Sequence, residues 1–283
     1  MADTATKLDS LAGLEVVEAG VSEGFIKFLV YADPGGGKTW LVASAQDVPK
    51  MRPILFIDME GGIASAGKKW PGMHVVRIKD TIDESTGRVT KMAWDHLYGL
   101  YEHLKTRKHP YKTIILDSVS EAYALCMRWV MYDLIVVKGK DHRDPDIADK
   151  KEYAKARSRV HLMMRAFRDL DAHVLMTALK DVKTNNDTGA LINNIPSLPG
   201  KLAYEVGGFM DLLGYLYVEV RGEEVTRHLL TVPANKYLAK DRYDALPSVV
   251  DEPTMPKLAA AILGKEETKP APGPKPQPAT ITK

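Results

Sequence analysis

The chain has one cysteine, Cys126, in 283 residues. A single thiol excludes an internal disulfide and any metal site built from several cysteines, and it suits a reducing compartment. Net charge is equally scarce: 39 lysines and arginines against 37 aspartates and glutamates leave a formal +2. No global field marks the chain as a polyanion binder, so any basic surface has to be local. No apolar run approaches the ~18 residues that would span a membrane. The opening Met1-Ala2-Asp3-Thr4-Ala5-Thr6 lacks the basic start and apolar stretch of a signal peptide. The eight histidines show no metal-ligand spacing. Together these absences predict a soluble, cytoplasmic protein without membrane contact.

What the chain does have is an ordinary globular composition, 45% hydrophobic and 27% charged. Its length allows one large α/β domain or two small ones. Runs at residues 25–31, 53–58, 74–78, 113–117 and 173–177 read as strands, the first of them buried and the fourth continuously apolar. Helical spacing begins at Trp40 and recurs over 93–104, 119–137 and 150–170. Residues 138–149 read as a charged loop, and residues 181–200, rich in Asn, Gly and Pro, as a long one. Two late strands, near 212–220 and 225–232, flank a hairpin turn at Arg221-Gly222-Glu223-Glu224. A last helix falls near 256–263. Apolar strands alternating with helices predict an α/β fold with a mostly parallel central sheet and helices on both faces. The expected division is a leader at 1–20, one core at 21–264 and a Pro/Lys-rich tail at 265–283, too poor in apolar residues to pack.

The chemistry starts at Ala32-Asp33-Pro34-Gly35-Gly36-Gly37-Lys38-Thr39, between the first strand and the first helix. Glycines permit the dihedrals that turn successive N–H groups inward, and the helix start adds its dipole. That is a cradle for phosphates. Lys38 reaches the β- and γ-phosphates, and the Thr39 hydroxyl binds Mg²⁺. The loop usually opens with Gly, and Ala32 stands there instead. Asp33, Pro34, Gly35, Gly36, Gly37, Lys38, Thr39 and Trp40 form the expected nucleotide-binding set. The competing reading is a Gly-rich turn followed by a chance Gly-Lys-Thr, which the strand–loop–helix setting disfavours.

Two carboxylates join the loop. Asp117 ends a strand, where it can support the Mg²⁺ shell opposite Thr39 or, alternatively, cap the next helix. Glu60 lies just past another strand. Ligands of parallel sheets collect at the carboxyl ends of strands, so Glu60 faces the same crevice and can activate water there. Its alternative is a surface acid before a Gly-Gly turn.

Phe56-Ile57-Asp58-Met59-Glu60 is similar to the segment of bacterial RecA that carries its catalytic glutamate. Ile114-Ile115-Leu116-Asp117-Ser118-Val119 resembles the RecA magnesium strand. The run Ala239-Lys240-Asp241-Arg242-Tyr243-Asp244-Ala245-Leu246-Pro247 resembles the Lys-x-Arg element of RecA-like and KaiC-like ATPases. Pro196-Ser197-Leu198-Pro199-Gly200-Lys201 and Gly208-Phe209-Met210-Asp211 look like hallmarks of phage-encoded RecA-like single-strand annealing ATPases. The resemblance covers about residues 20–264.

This resemblance implies a RecA-like P-loop NTPase hydrolysing ATP with Mg²⁺. Lys38 and Glu60 would be catalytic, Thr39 and Asp117 would hold the metal, and Lys240 and Arg242 would reach a neighbour's ATP. Thr177, or nearby Lys180, takes the place of the γ-phosphate sensor, where RecA has Gln. The DNA loops of RecA map to 138–150 and 180–201, which offer Lys138, Lys140, Arg143, Lys180, Lys183 and Lys201 for phosphate contact. Asp141, Asp144, Asp146 and Asp149 interleave the first loop and make a plain solvated loop its competing reading. The implied partners are single-stranded DNA, further copies of the chain in a ring or filament, and a single-strand DNA-binding protein. The implied setting is phage recombination in a bacterial cytoplasm, with annealing favoured over strand exchange because the extra domains of RecA are lacking. A nucleotide-gated regulator or scaffold, and a hexameric helicase or its loader, remain alternatives.

Overall fold

The computed structural model describes residues 8–11, 14–16, 24–106, 108–132, 144, 147–185 and 187–264. Two short strands, β1 (Leu8–Leu11) and β2 (Leu14–Val16), form a separate hairpin within the stretch read as a leader. The core begins with β3 (Lys27–Ala32), the phosphate loop and α1 (Lys38–Ala43). Two 3₁₀ turns lead into β4 (Ile54–Asp58), α2 (Ile63–Lys69) and β5 (His74–Arg77). A small antiparallel pair, β6 (Thr81–Ile82) and β7 (Val89–Lys91), precedes α3 (Ala93–Leu104). Then come β8 (Thr113–Asp117), α4 (Val119–Tyr132), α5 (Lys150–Arg168), β9 (His173–Thr184), β10 (Leu191–Pro196) and α6 (Leu202–Phe209). The chain closes with β11 (Leu212–Arg221), β12 (Glu224–Leu230), β13 (Lys240–Asp241), β14 (Val249–Asp251) and α7 (Met255–Ile262).

The main sheet runs β14-β12-β11-β3-β9-β8-β4-β5. Every pair from β11 to β5 is parallel, and β12 and β14 add an antiparallel edge. β3, β4 and β8 are buried along their whole length, which explains their unbroken apolar sequences. One core, with Leu97, Val119, Val160 and Val206, packs α3 to α6 on one face. The other, with Leu41, Ile63, Met255 and Leu258, packs α1, α2 and α7 on the opposite face. The fold is the predicted α/β layer structure. Among the described residues no helix is long and apolar enough to cross a membrane.

Three expectations need correcting. Residues 181–200 are not one long loop: β9 continues to Thr184 and pairs antiparallel with β10. The loop-like composition belongs to the turn, where Asn185 Oδ1 accepts the N–H groups of Asp187 and Thr188, and to an exposed strand extension with no core face to mark it. Residues 202–209, assigned no structure from sequence, form α6; Gly207 and Gly208 mask a helix held by buried Leu202, Val206 and Phe209. Residues 63–69, likewise assigned no element from sequence, form α2, with Gly62 at its start. The predicted end of the fourth helix at 137 lies outside the described residues.

Candidate nucleotide site

Buried β3 delivers the loop to the carboxyl edge of the sheet. A Cβ on Gly36 would meet the Ala32 methyl at 2.9 Å and Asp33 O at 3.1 Å, so the tight turn demands glycine there. Gly37 has φ 99°, in the left-handed region, immediately before α1. Lys38 is buried, and its Nζ donates to Asp33 O at 3.2 Å and Ala32 O at 3.4 Å. Burial lowers its pKa, opposed by the charges of Glu60, Asp117 and Asp33. The ammonium thus rests on carbonyls of the loop whose ligand it is placed to hold.

β9 lies between β3 and β8, and that insertion shapes the centre. Thr39 donates to Asp117 Oδ2 at 2.9 Å. Thr177, on the intervening β9, donates to Asp117 Oδ1. Both carboxylate oxygens are therefore held by hydroxyls from flanking elements. Burial raises the Asp117 pKa, while the two hydroxyls act in the other direction. In register with Asp117, across from it on β4, sits Asp58. Buried Asp58 accepts the Gly61 N–H at 2.7 Å and so fixes the turn after β4. Glu60, in that turn, accepts from the Ser118 hydroxyl and lines the cleft.

The cleft has a volume of about 830 Å³. Lys38, Thr39 and Glu60 line it, together with Trp40, Lys69 and Trp70. Trp40 meets Trp70 edge-on at 5.2 Å, and Lys69 Nζ lies 4.8 and 4.7 Å from the two rings. Trp70 Nε1 donates to Asp47 at 2.8 Å, which anchors its ring. Arg227 and Glu252 also line the cleft. Lys180 Nζ pairs with Asp33 Oδ2 at 2.8 Å, beside the loop.

A family model described as an AAA domain matches residues 25–243. The chain belongs to the AAA domain family. No curated protein matches it significantly. Membership makes this AAA domain a P-loop nucleotide-binding protein of the ATPase type.

Within the AAA domain, Asp33 to Trp40, Glu60, Asp117, Thr177 and Lys180 converge on one cleft or its rim. Lys240 and Arg242 do not. β13 pairs with Leu212 and Leu213, beside Phe28 and Leu29 at the start of β3, away from the loop. Lys240 Nζ donates to Gly207 O at 2.6 Å and Met210 O at 3.2 Å; Arg242 bonds Asp211 at 2.6 Å and Gly208 O at 2.9 Å. Both cations hold the carboxyl end of α6, where a cation suits the helix dipole. Of the proposed DNA contacts, Lys183 is exposed on the β9 extension and Lys201 is exposed at the start of α6. Lys138, Lys140 and Arg143 lie outside the described residues.

Sequence reasoning missed Lys69, Trp70 and Arg227. The Lys-Trp pair ending α2 was a visible signal once α2 was recognised. Arg227 carried none: it reaches the cleft only because β12 folds back beside β11.

Proposed function

We propose that this AAA domain hydrolyses ATP with Mg²⁺ and couples turnover to single-stranded DNA. The observation that carries the first half is the bond between Thr39 and Asp117, with Glu60 facing the same cleft. The donors suit Mg²⁺: a hydroxyl and a carboxylate, both hard oxygen ligands. Asp117 is a buried acid whose charge is disfavoured by that burial, so a cation beside it is stabilising. Bound there, Mg²⁺ would neutralise charge on the phosphates. Lys38 exchanges the carbonyls of Ala32 and Asp33 for phosphate oxygens. Glu60, oriented by Ser118, takes a proton from the attacking water. Thr177 keeps Asp117 in place from the intervening strand.

A second groove supports the DNA half. Tyr123, Tyr153, Arg157 and the segment 197–200 line about 500 Å³ between α4, α5 and the end of β10. Ser120 bridges this segment to β9, accepting the Leu179 N–H at 3.0 Å and donating to Ser197 O at 2.9 Å. Exposed Tyr153 and nearby Lys201 offer a ring face and a cation, the pairing that suits unpaired bases on a phosphate backbone, while Arg157 is held by Glu205 at 2.7 Å. Annealing in a self-associated, phage-encoded protein is the setting we infer from the RecA-like resemblance. The test is the ATP hydrolysis rate with and without single-stranded DNA. DNA should raise the rate, with an affinity that falls steeply with salt. A rate and affinity indifferent to DNA would leave a nucleotide-binding protein without this substrate.

A further inference from the structure

We propose that Arg227 is a second phosphate-binding cation of the nucleotide cleft, acting within its own chain from the side opposite Asp117. The proposal rests on the nucleotide reading of the cleft and adds a residue to it.

The sheet order places the two sides. Asp117 enters from β8, two strands from β3 on one flank; Arg227 enters from β12, two strands from β3 on the other. A Cβ placed on Gly37 would lie 2.9 Å from Arg227 Nε and 3.2 Å from its Cδ. The Arg227 side chain therefore lies over the residue that precedes α1, beside the N–H groups that form the phosphate cradle. Among the described residues it makes no ion pair and no side-chain hydrogen bond, although it lines the cleft. A planar five-donor fork with no carboxylate partner, next to an anion cradle, matches a phosphate oxygen pair.

The backbone beneath it is pinned. Arg227 N donates to Glu252 Oε1 at 2.6 Å, and Glu252 N returns to Arg227 O at 2.7 Å. Lys257 Nζ holds Glu252 O at 2.8 Å, and Met255 N donates to Ser44 Oγ at 2.8 Å, tying the start of α7 to the end of α1. The wall that carries Arg227 is thus attached to the helix that follows the loop. A nucleoside triphosphate carries several negative charges, and Lys38 alone supplies one positive charge from the loop. Arg227 adds one over Gly37 that no carboxylate among the described residues neutralises, and its contact requires no neighbouring subunit.

The test is direct titration of ATP and of inorganic tripolyphosphate into wild type, Arg227→Gln and Arg227→Lys, with nucleotide-free thermal unfolding to establish that each variant is folded. Arg227→Gln should lose about tenfold or more for both ligands, since a charged hydrogen bond is removed. Arg227→Lys should fall between, keeping charge without the fork. Equal affinity in wild type and both variants would overturn the role of Arg227 while leaving the nucleotide reading intact. A loss for ATP alone would also overturn it, since the contact would then lie on the nucleoside. Wild type that binds neither ligand would overturn the nucleotide reading itself, and this proposal with it.

Discussion

Thr39 and Asp117 stand 78 positions apart in the chain, yet the Thr39 hydroxyl donates to Asp117 Oδ2 at 2.9 Å. That bond joins the start of the helix after the phosphate loop to the end of a strand two places away in the sheet. The intervening β9 supplies Thr177 to the other carboxylate oxygen. The centre is therefore assembled by sheet order rather than by proximity in sequence.

One consequence is a conflict between stability and activity at Asp117. Its pKa is raised above the ordinary 3.8 by burial. Above the ordinary value and up to the raised one, the folded state binds more protons than the unfolded one. This group's effect on stability therefore becomes less favourable as pH rises through that window. Asp117→Asn should raise the melting temperature of the nucleotide-free protein at neutral pH and abolish Mg²⁺-dependent stabilisation by ATP. Thermal unfolding with and without Mg-ATP measures both.

Gly37→Ala should damage the loop twice over. A side chain at φ 99° is strained, by roughly 1–2 kcal/mol, and the new methyl would meet Arg227 Nε. Denaturant unfolding should show that loss, and ATP affinity should fall with it. Gly62→Ala, whose Cβ has open space around it, is the control.

How much of this was legible beforehand follows from where the information sits. β3, β4 and β8 are buried on both faces, so their apolar runs announced them. Lys38, Thr39, Glu60 and Asp117 stand at strand ends, and parallel sheets gather such ends at one edge. The β9 extension was hidden because its outer residues are exposed and carry no alternation. The α6 helix was hidden by two glycines. The placement of Lys240 and Arg242 was hidden because spacing told only that they share a face; the face is turned to the carbonyls of α6. Arg227 depended on a hairpin return that no local pattern encodes.

His173 predicts an acid transition. Its buried ring accepts the Ile26 N–H at Nδ1, and burial lowers its pKa to about 4 from 6.5. The unfolded chain binds the proton first, so the stability from the neutral ring is present above pH 6.5 and lost as pH falls towards 4. The size is on the order of 3 kcal/mol. Denaturant midpoints across that range should fall with pH in wild type and flatten in His173→Gln.

Arg242→Ala should cost about 0.5–1 kcal/mol of stability by uncapping α6 and releasing Asp211. Arg242 lies at the far end of β3 from its own loop. If Arg242 also serves a second copy, the variant loses ATP turnover beyond what its stability loss explains, and mixing it with Glu60→Gln should restore part of the rate. A variant as active as wild type would leave Arg242 the capping role alone.

The central claim is that the Lys38–Thr39–Asp117 cleft turns over ATP with Glu60 as the base. The measurement that reaches it most directly is ATP hydrolysis and ATP binding in parallel for wild type, Lys38→Ala and Glu60→Gln. Lys38→Ala should lose binding. Glu60→Gln should bind ATP as wild type does and hydrolyse it at least ~100-fold more slowly, because the shape is kept and the base is lost. Glu60→Gln turning over ATP at the wild-type rate would contradict the account.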